Sequence, residues 1–242
     1  MYHPFSVLDT IKTSWYIFKR NFIIIIVFSV ISFILLFLLG IMVELIVAPE
    51  AFAGKMVVSF ILVFTQAYTT LGLYKLIFTL IDSEYYEFEF KQVLPGFKMI
   101  ISYLSVAFIL AFIITNFAIL VEYMDKFPWA NDVIKTVGVI GALYLFVRIM
   151  FFNTFIVDDL SGPIESMRQS FQLTKGVVLK VLVILAIILL LIALPAQMAQ
   201  YYPLISVAIV FTYPFVNIIL AVTYRKLIYS HLDMDDDPTE TN

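Results

Sequence analysis

The chain has no cysteine, two histidines, eight glycines and little charge, with Asp, Glu, Lys and Arg making up 14% of its 242 residues. Without a thiol there is no disulfide, no thiolate metal site and no cysteine nucleophile. The histidines, His3 and His231, stand at opposite ends of the sequence, so neither a metalloprotease pair nor a serine–histidine arrangement can be drawn between them. The glycines form no phosphate-cradling run. A net charge of −3, with acids gathered partly at the C-terminal end, leaves no footprint for nucleic acid. Scarce charge also excludes a soluble globule: 62% of the residues are hydrophobic, against about half in soluble domains, and a chain of this length could not hide that surface from water.

Six long apolar stretches take up most of the chain: Asn21 to Val47, Met56 to Ile81, Met99 to Val121, Val137 to Val157, Val181 to Gln200 and Pro203 to Tyr224. Each reaches the roughly 20 residues needed to cross a hydrocarbon core of about 30 Å. Backbone polar groups in lipid must be satisfied within the segment, so the stretches are expected to be helices. Ala51-Phe52-Ala53-Gly54 has the small residues of a signal cleavage site. The apolar run before it is too long for a signal peptide, and the reading is a retained first span.

Lysine and arginine set the orientation. With both termini in the cytosol, Lys12, Lys19, Arg20, Lys75, Lys91, Lys98, Arg168, Lys175, Lys180, Arg225 and Lys226 lie inside, against Lys55, Lys126 and Lys135 outside. This is the positive-inside pattern.

A pattern precedes each odd-numbered span. Leu8, Ile11, Trp15 and Phe18 are spaced 3, 4 and 3; Phe90, Val93, Phe97 and Ile100 repeat the spacing, and Ile164, Met167, Phe171 and Thr174 repeat it again. Such residues share one helix face, with Asp9, Lys12, Glu89, Lys91, Glu165 and Arg168 on the other. Ser6 and Asp9 form a capping-box-like start, Gly162-Pro163 suits a helix start and Gly176 a stop. Pro95-Gly96 should break the middle copy. The expected unit is an interfacial amphipathic helix followed by a two-span hairpin, used three times over residues of about 5–81, 84–157 and 162–229, all within a single membrane domain over 1–230. A disordered acidic tail is expected over 231–242. The three helices anchor the hairpins at the inner headgroups or form a docking collar, with Trp15, Phe97 and Phe171 buried in either case.

The run from Asp158 to Gly176, with Pro163-Ile164, Ser170 and Leu173-Thr174-Lys175-Gly176, resembles the signature loop of uncharacterised bacterial six-span proteins of the YciC-like group. That group is related to the membrane domain of glycerophosphoryl diester phosphodiesterases. The opening Phe5-Ser6 and Trp15, Phe18, Lys19, Asn21 and Phe22 resemble the same group's N-terminal pattern. Ser166 departs from it, standing where alanine is usual. The chain has no phosphodiesterase catalytic domain, so the resemblance implies a non-enzymatic component of a bacterial inner membrane.

Within the spans the polar exceptions are Gln66, Asn116, Arg148, Asn153, Gln197 and Asn217. Arg148 is nine residues from the basic end of its span, about 14 Å deep at the helical rise. A charge at that depth is expected to face the bundle interior or a watery cavity. Tyr213, Asn217 and Thr70 lie at similar levels, and Pro214 frees a carbonyl there. These four residues are the candidate binding site, for an anionic substrate or lipid headgroup. Gly138, Gly141 and Ala142 offer a small-residue surface for another helix. The acids Asp82, Glu84, Glu87 and Glu89, and the pair Asp158 and Asp159, are helix caps, a solvated face or a cation rim. The fold expected is an all-α bundle of six transmembrane helices, without cofactor or metal. Its partners are the bilayer and a membrane protein or a second copy. The expected role is a non-catalytic scaffold, accessory or regulator, with a small transporter or channel as the alternative.

Overall fold

The computed structural model describes residues 5–46, 52–82, 90–124 and 128–235. The acids Glu84, Glu87 and Glu89, and the tail beyond 235, fall outside that set. The elements are α1 (Val7–Arg20), α2 (Phe22–Ile46), α3 (Phe52–Asp82), α4 (Phe90–Val93), α5 (Phe97–Met124), α6 (Pro128–Ile149), α7 (Phe152–Asp158), α8 (Pro163–Leu173), α9 (Val178–Ala199), a 3-10 turn (Pro203–Ala208) and α10 (Ile209–Asp235). Among the described residues there is no strand. Six segments are long and apolar enough to cross a membrane, and each overlaps one expected stretch: Phe22–Leu45, Ala53–Asp82, Phe97–Met124, Asp132–Asp158, Val178–Ala199 and Leu204–Tyr229. The last helix runs to Asp235, past the expected start of the tail at 231. A helix already nucleated by its packed turns extends at one bond per residue.

The start of α1 and the last turns of α10 lie together on one side, here called the basic end. The core sits in that half. Its buried side chains run over Ala67–Leu80 in α3, Met99–Val106 in α5, Val147–Val157 across α6 and α7, Val181–Ile188 in α9 and Val216–Leu227 in α10. In the other half packing thins out, and residues 111–120 of α5 are exposed throughout.

The short helices lie against this core. Asp9 and Thr13 of α1 meet Lys226, Trp15 and Phe18 meet Phe215, and Phe22 meets Phe211, so α1 runs antiparallel along α10. Helix α8 turns back along α7, with Ser161 bonded to the Phe155 carbonyl and Ser170 reaching Arg148 and Phe151. The middle copy breaks after four residues, at Leu94-Pro95-Gly96, as the proline requires. The Lys75 ammonium donates to the Leu94 carbonyl at 2.8 Å. Gly72 admits this turn: a Cβ there would stand 3.4 Å from the Val93 oxygen and 3.2 Å from Phe28.

Burial divides the expected faces: Phe18, Val93, Ile100 and Thr174 are buried, the other described positions less so. Trp15, Phe97 and Phe171 are 48%, 71% and 39% exposed, as are the first positions of two copies, Leu8 and Ile164 at 65% each. The buried positions are Thr10, Ser14 and Phe18 in α1 and Ser166, Ser170 and Thr174 at the end of the chain's third copy. These are the same register positions. The hydroxyls bond back to their own helix, Thr10 to Ser6, Ser14 to Thr10 and Thr174 to Ser170, so they are small and already satisfied. Lipid accepts the large apolar side chains as readily as protein does, whereas close backbone approach needs small ones.

Helix ends divide the same way. Pro163 opens α8 behind Gly162, and Gly176, at φ 82°, follows its end. Ser6 does precede α1 but makes no side-chain cap bond, and the Asp9 carboxylate pairs with Lys226. Gly176→Ala should therefore destabilise the protein by about 1–2 kcal/mol, the cost of a left-handed β-carbon. Gly141→Ala, whose Cβ meets nothing within 4 Å, should be neutral or slightly stabilising. Thermal unfolding in detergent distinguishes the two, and equal effects would contradict this account of the turn.

Candidate functional site

The fourth span is two helices. Helix α6 ends at Ile149 and α7 begins at Phe152, with no glycine or proline between them. The break leaves main-chain groups without helical partners, and one side chain of α8 satisfies two of them. The fully buried Ser170 hydroxyl donates to the Arg148 carbonyl at 2.9 Å and accepts the Phe151 N–H at 3.1 Å. On the far side the Thr154 hydroxyl and N–H both donate to the Phe151 carbonyl, closing the first turn of α7. A helix interruption at this position needs such partners, since nothing else in an apolar interior supplies them.

Arg148 stands on the last turn before the break, 5% exposed. Its guanidinium carbon lies 3.7 Å from the centre of the Phe171 ring and 6.0 Å from that of Tyr144. Cation–π attraction of this kind strengthens when both partners are desolvated. The buried Nε has no hydrogen-bond partner, and among the described residues no carboxylate lies within ion-pair distance. The expected dipolar partners, Tyr213, Asn217 and the carbonyl freed by Pro214, are not the ones it uses. Helix α6 packs mainly on α5, α8 and α9, and α10 on α1, α2, α3 and α9, so equal depth did not mean adjacency.

Thr70, Tyr213 and Asn217 do come together. The hydroxyls of Thr70 and Tyr213 are 3.1 Å apart, and the Asn217 amide donates to the Tyr213 carbonyl at 2.8 Å. Thr70 differs from Thr65 and Thr69, whose hydroxyls bond within α3. Behind this pair the fully buried Tyr74 lies beside Asn153, with Tyr103 and Tyr213 near. The Asn153 Oδ1 is buried without a partner. The four candidates thus divide into Arg148, which is held by α8, and a hydroxyl and amide cluster between α3 and α10.

A third constellation was not anticipated. Arg225 of α10 grips Asp158 with two bonds of 3.0 and 3.1 Å, reaches Asp82 at 2.5 Å and stacks 4.8 Å over Phe78. The Tyr224 hydroxyl donates to Asp158 at 2.8 Å. The ends of the second, fourth and sixth spans are thereby tied at one point. Matching opposite charges among span ends, rather than within spans, would have found it. Both oxygens of Asp158 are engaged, and among the described residues no group of three or more His, Asp or Glu could hold a metal ion. Of the small-residue surface, Gly138 is covered by the Phe117 ring while Gly141 stays open.

Two outcomes follow from these contacts. Ser170→Ala leaves two buried main-chain groups unsatisfied and should cost about 1–3 kcal/mol. Ser166→Ala removes the fully buried hydroxyl together with its one bond, to Pro163 of its own helix, and strands no main-chain group of another segment, so it should cost less, at most about 1 kcal/mol. Equal loss in detergent unfolding would remove the bridging role. Burial, then neighbouring Asp158, pushes the partly exposed Asp159 carboxyl above its ordinary range, against a pull from Arg225 and with a further push from Glu165. A carboxyl whose pKa is raised on folding favours the fold below its unfolded value and loses that contribution as pH rises through the folded one. Asp159→Asn should therefore raise thermal stability at pH 7, and the gain should vanish as pH falls towards the ordinary carboxylate range. A gain that grows on acidification would contradict this sign.

In comparisons with known proteins, no family model, no curated sequence and no solved structure matches the chain.

Proposed function

We propose that the chain is a non-catalytic, multi-pass component of a bacterial inner membrane, with both termini cytosolic, that acts on a membrane partner or a lipid process. Its plan is three units of a short helix and a two-span hairpin. The observation that supports this reading is the division of the bundle into a packed basic half and an open half. In the open half Phe112, Ile114 and Ile119 of α5 and Val139 and Ile140 of α6 face outward. Between α5, α6 and α9 lies an apolar groove of about 720 Å³ with Gly141 and Ala142 along it. A surface of this breadth touches whatever the membrane offers, and small residues along it let a second helix come close.

The absence of native cysteine makes the topology testable. Single cysteines replacing Gln172 and Tyr201, both exposed, should be labelled only from the cytosolic and only from the outer side, respectively. A photo-crosslinking residue at Phe112 or Ile140 should capture one discrete protein or an enriched lipid class from native membranes. Capture of bulk lipid alone, in the proportions of the membrane, would sink the partner and lipid reading.

A second reading, a carrier or holder of anionic headgroups, is favoured by Arg148. A buried guanidinium balanced by aromatic faces and lacking a carboxylate can accept an anion. Arg148→Leu should keep the fold while lowering retention of phosphatidylglycerol relative to phosphatidylcholine in detergent extracts. Arg148→Lys should recover little if planar two-point contact matters. Unchanged lipid ratios in both variants would remove this reading.

A further inference from the structure

A cavity of about 320 Å³ lies between α9, the 3-10 turn and the start of α10, away from Arg148 and from the α5–α6 groove. Three backbone irregularities meet around it. Pro195 stands on its wall inside α9 and leaves the Leu191 carbonyl, one turn earlier, without its usual donor. The 3-10 turn lies within the sixth candidate span and contributes Ile205 and Ser206. Tyr213, the residue before Pro214, completes the wall with Thr212. Irregular backbone at membrane depth persists where it is buried in protein or lines a cavity.

The polar groups are few and of one kind. Tyr213 hydrogen-bonds Thr70, which gives up the usual bond to its own helix to do so. Thr70 itself lies outside the wall, whose hydroxyls are those of Tyr213, Thr212 and Ser206. A phenol hydroxyl can both donate and accept, so the single bond to Thr70 leaves Tyr213 capacity for a ligand. No charged side chain lines the cavity, and the remainder of its wall is Ile, Ala, Pro and Val. An apolar pocket with a few convergent polar groups is the ordinary form of a small-molecule site, and 320 Å³ is at the small end of that range.

We infer that this cavity binds the uncharged, hydroxyl-bearing end of a neutral amphiphile, of the diacylglycerol or long-chain alcohol type. The hydroxyl exchanges hydrogen bonds with Tyr213, and the chain lies against Pro195, Ala196 and Ala199. An anionic headgroup is disfavoured, because no cation faces the cavity to offset its desolvation. The inference deepens the lipid-process reading by naming a lipid class.

The test uses the full chain in phosphatidylcholine vesicles with two photoactivatable probes of equal chain length, a diacylglycerol and a phosphatidic acid, each carrying a diazirine near its glycerol. Diacylglycerol should label α9 and α10 peptides saturably, and excess unlabelled diacylglycerol should compete while phosphatidic acid does not. Tyr213→Phe should weaken labelling about fivefold, the weight of one neutral hydrogen bond. Ala196→Phe should abolish it by filling the space, and Leu194→Phe, which lies off the cavity, should leave it unchanged. If Ala196→Phe does not fold, the conservative Tyr213→Phe still decides. Equal labelling by the two probes, non-saturable labelling, no labelling of these peptides or indifference to Tyr213→Phe each overturns the site. Saturable labelling by phosphatidic acid alone would overturn the neutral class but leave the lipid reading standing, whereas failure of that reading shows in the crosslinks from α5 and α6.

Discussion

In hydrocarbon an apolar side chain gains little by leaving lipid for a neighbouring helix, so helices associate where small side chains let backbones approach and where polar groups need partners. This protein concentrates both conditions at one end. Thr10, Ser14, Ser29, Thr69, Ser102, Ser166 and Thr223 are all buried there, and Ser14, Ser29 and Thr223 return their hydrogen to the carbonyl four residues back. A hydroxyl satisfied within its own helix packs like a small apolar group and has no further need of a partner. The half of the bundle without such residues is the half that stays open to its surroundings.

Polar contacts then fix which helices meet. Ser170 joins α8 to the interruption in the fourth span, Lys226 joins α10 to Asp9 of α1, Lys180 joins α9 to the Phe5 carbonyl, and Arg225 gathers the ends of three spans. All but the Ser170 contact connect segments far apart in the chain. The ion pairs stand at the rim, where Asp9 and Asp82 are largely exposed, so they select which helix ends meet more than they add stability. The basic half is accordingly the structurally determined part, and the open half offers surface.

Arg148 and the cavity beside Tyr213 express two ways of placing a polar group in such a bundle. Arg148 lies against the face of the half-exposed Phe171, which attracts the cation without neutralising it. Tyr213 is satisfied by a single hydroxyl and stands where prolines and a 3-10 turn have loosened the backbone. One carries charge without a counterion, the other carries hydrogen-bonding capacity without charge. They suit different ligands, and the molecule keeps them apart.

The sequence by itself determined the number of long apolar helices, the start of α8 at Pro163, the stop near Gly176 and the break at Pro95-Gly96, because each depends on hydropathy or on the backbone limits of glycine and proline. It also singled out Arg148, Tyr213, Thr70 and Asn217, since polar groups in apolar stretches are visible in any one chain. Which of them touch was decided by tertiary structure: depth along a span gives one coordinate, whereas partnership depends on which helix lies beside which. Of the repeated 3, 4, 3 positions, Phe18, Val93, Ile100 and Thr174 are buried while Trp15, Phe97 and Phe171 are exposed, because close helix packing selects the small Ser14 and Ser170 beside the bulky ones. The interruption at Met150-Phe151 left no trace in the sequence. It exists because a hydroxyl from another helix stands ready to take its unpaired donor and acceptor, and that is a property of the fold alone.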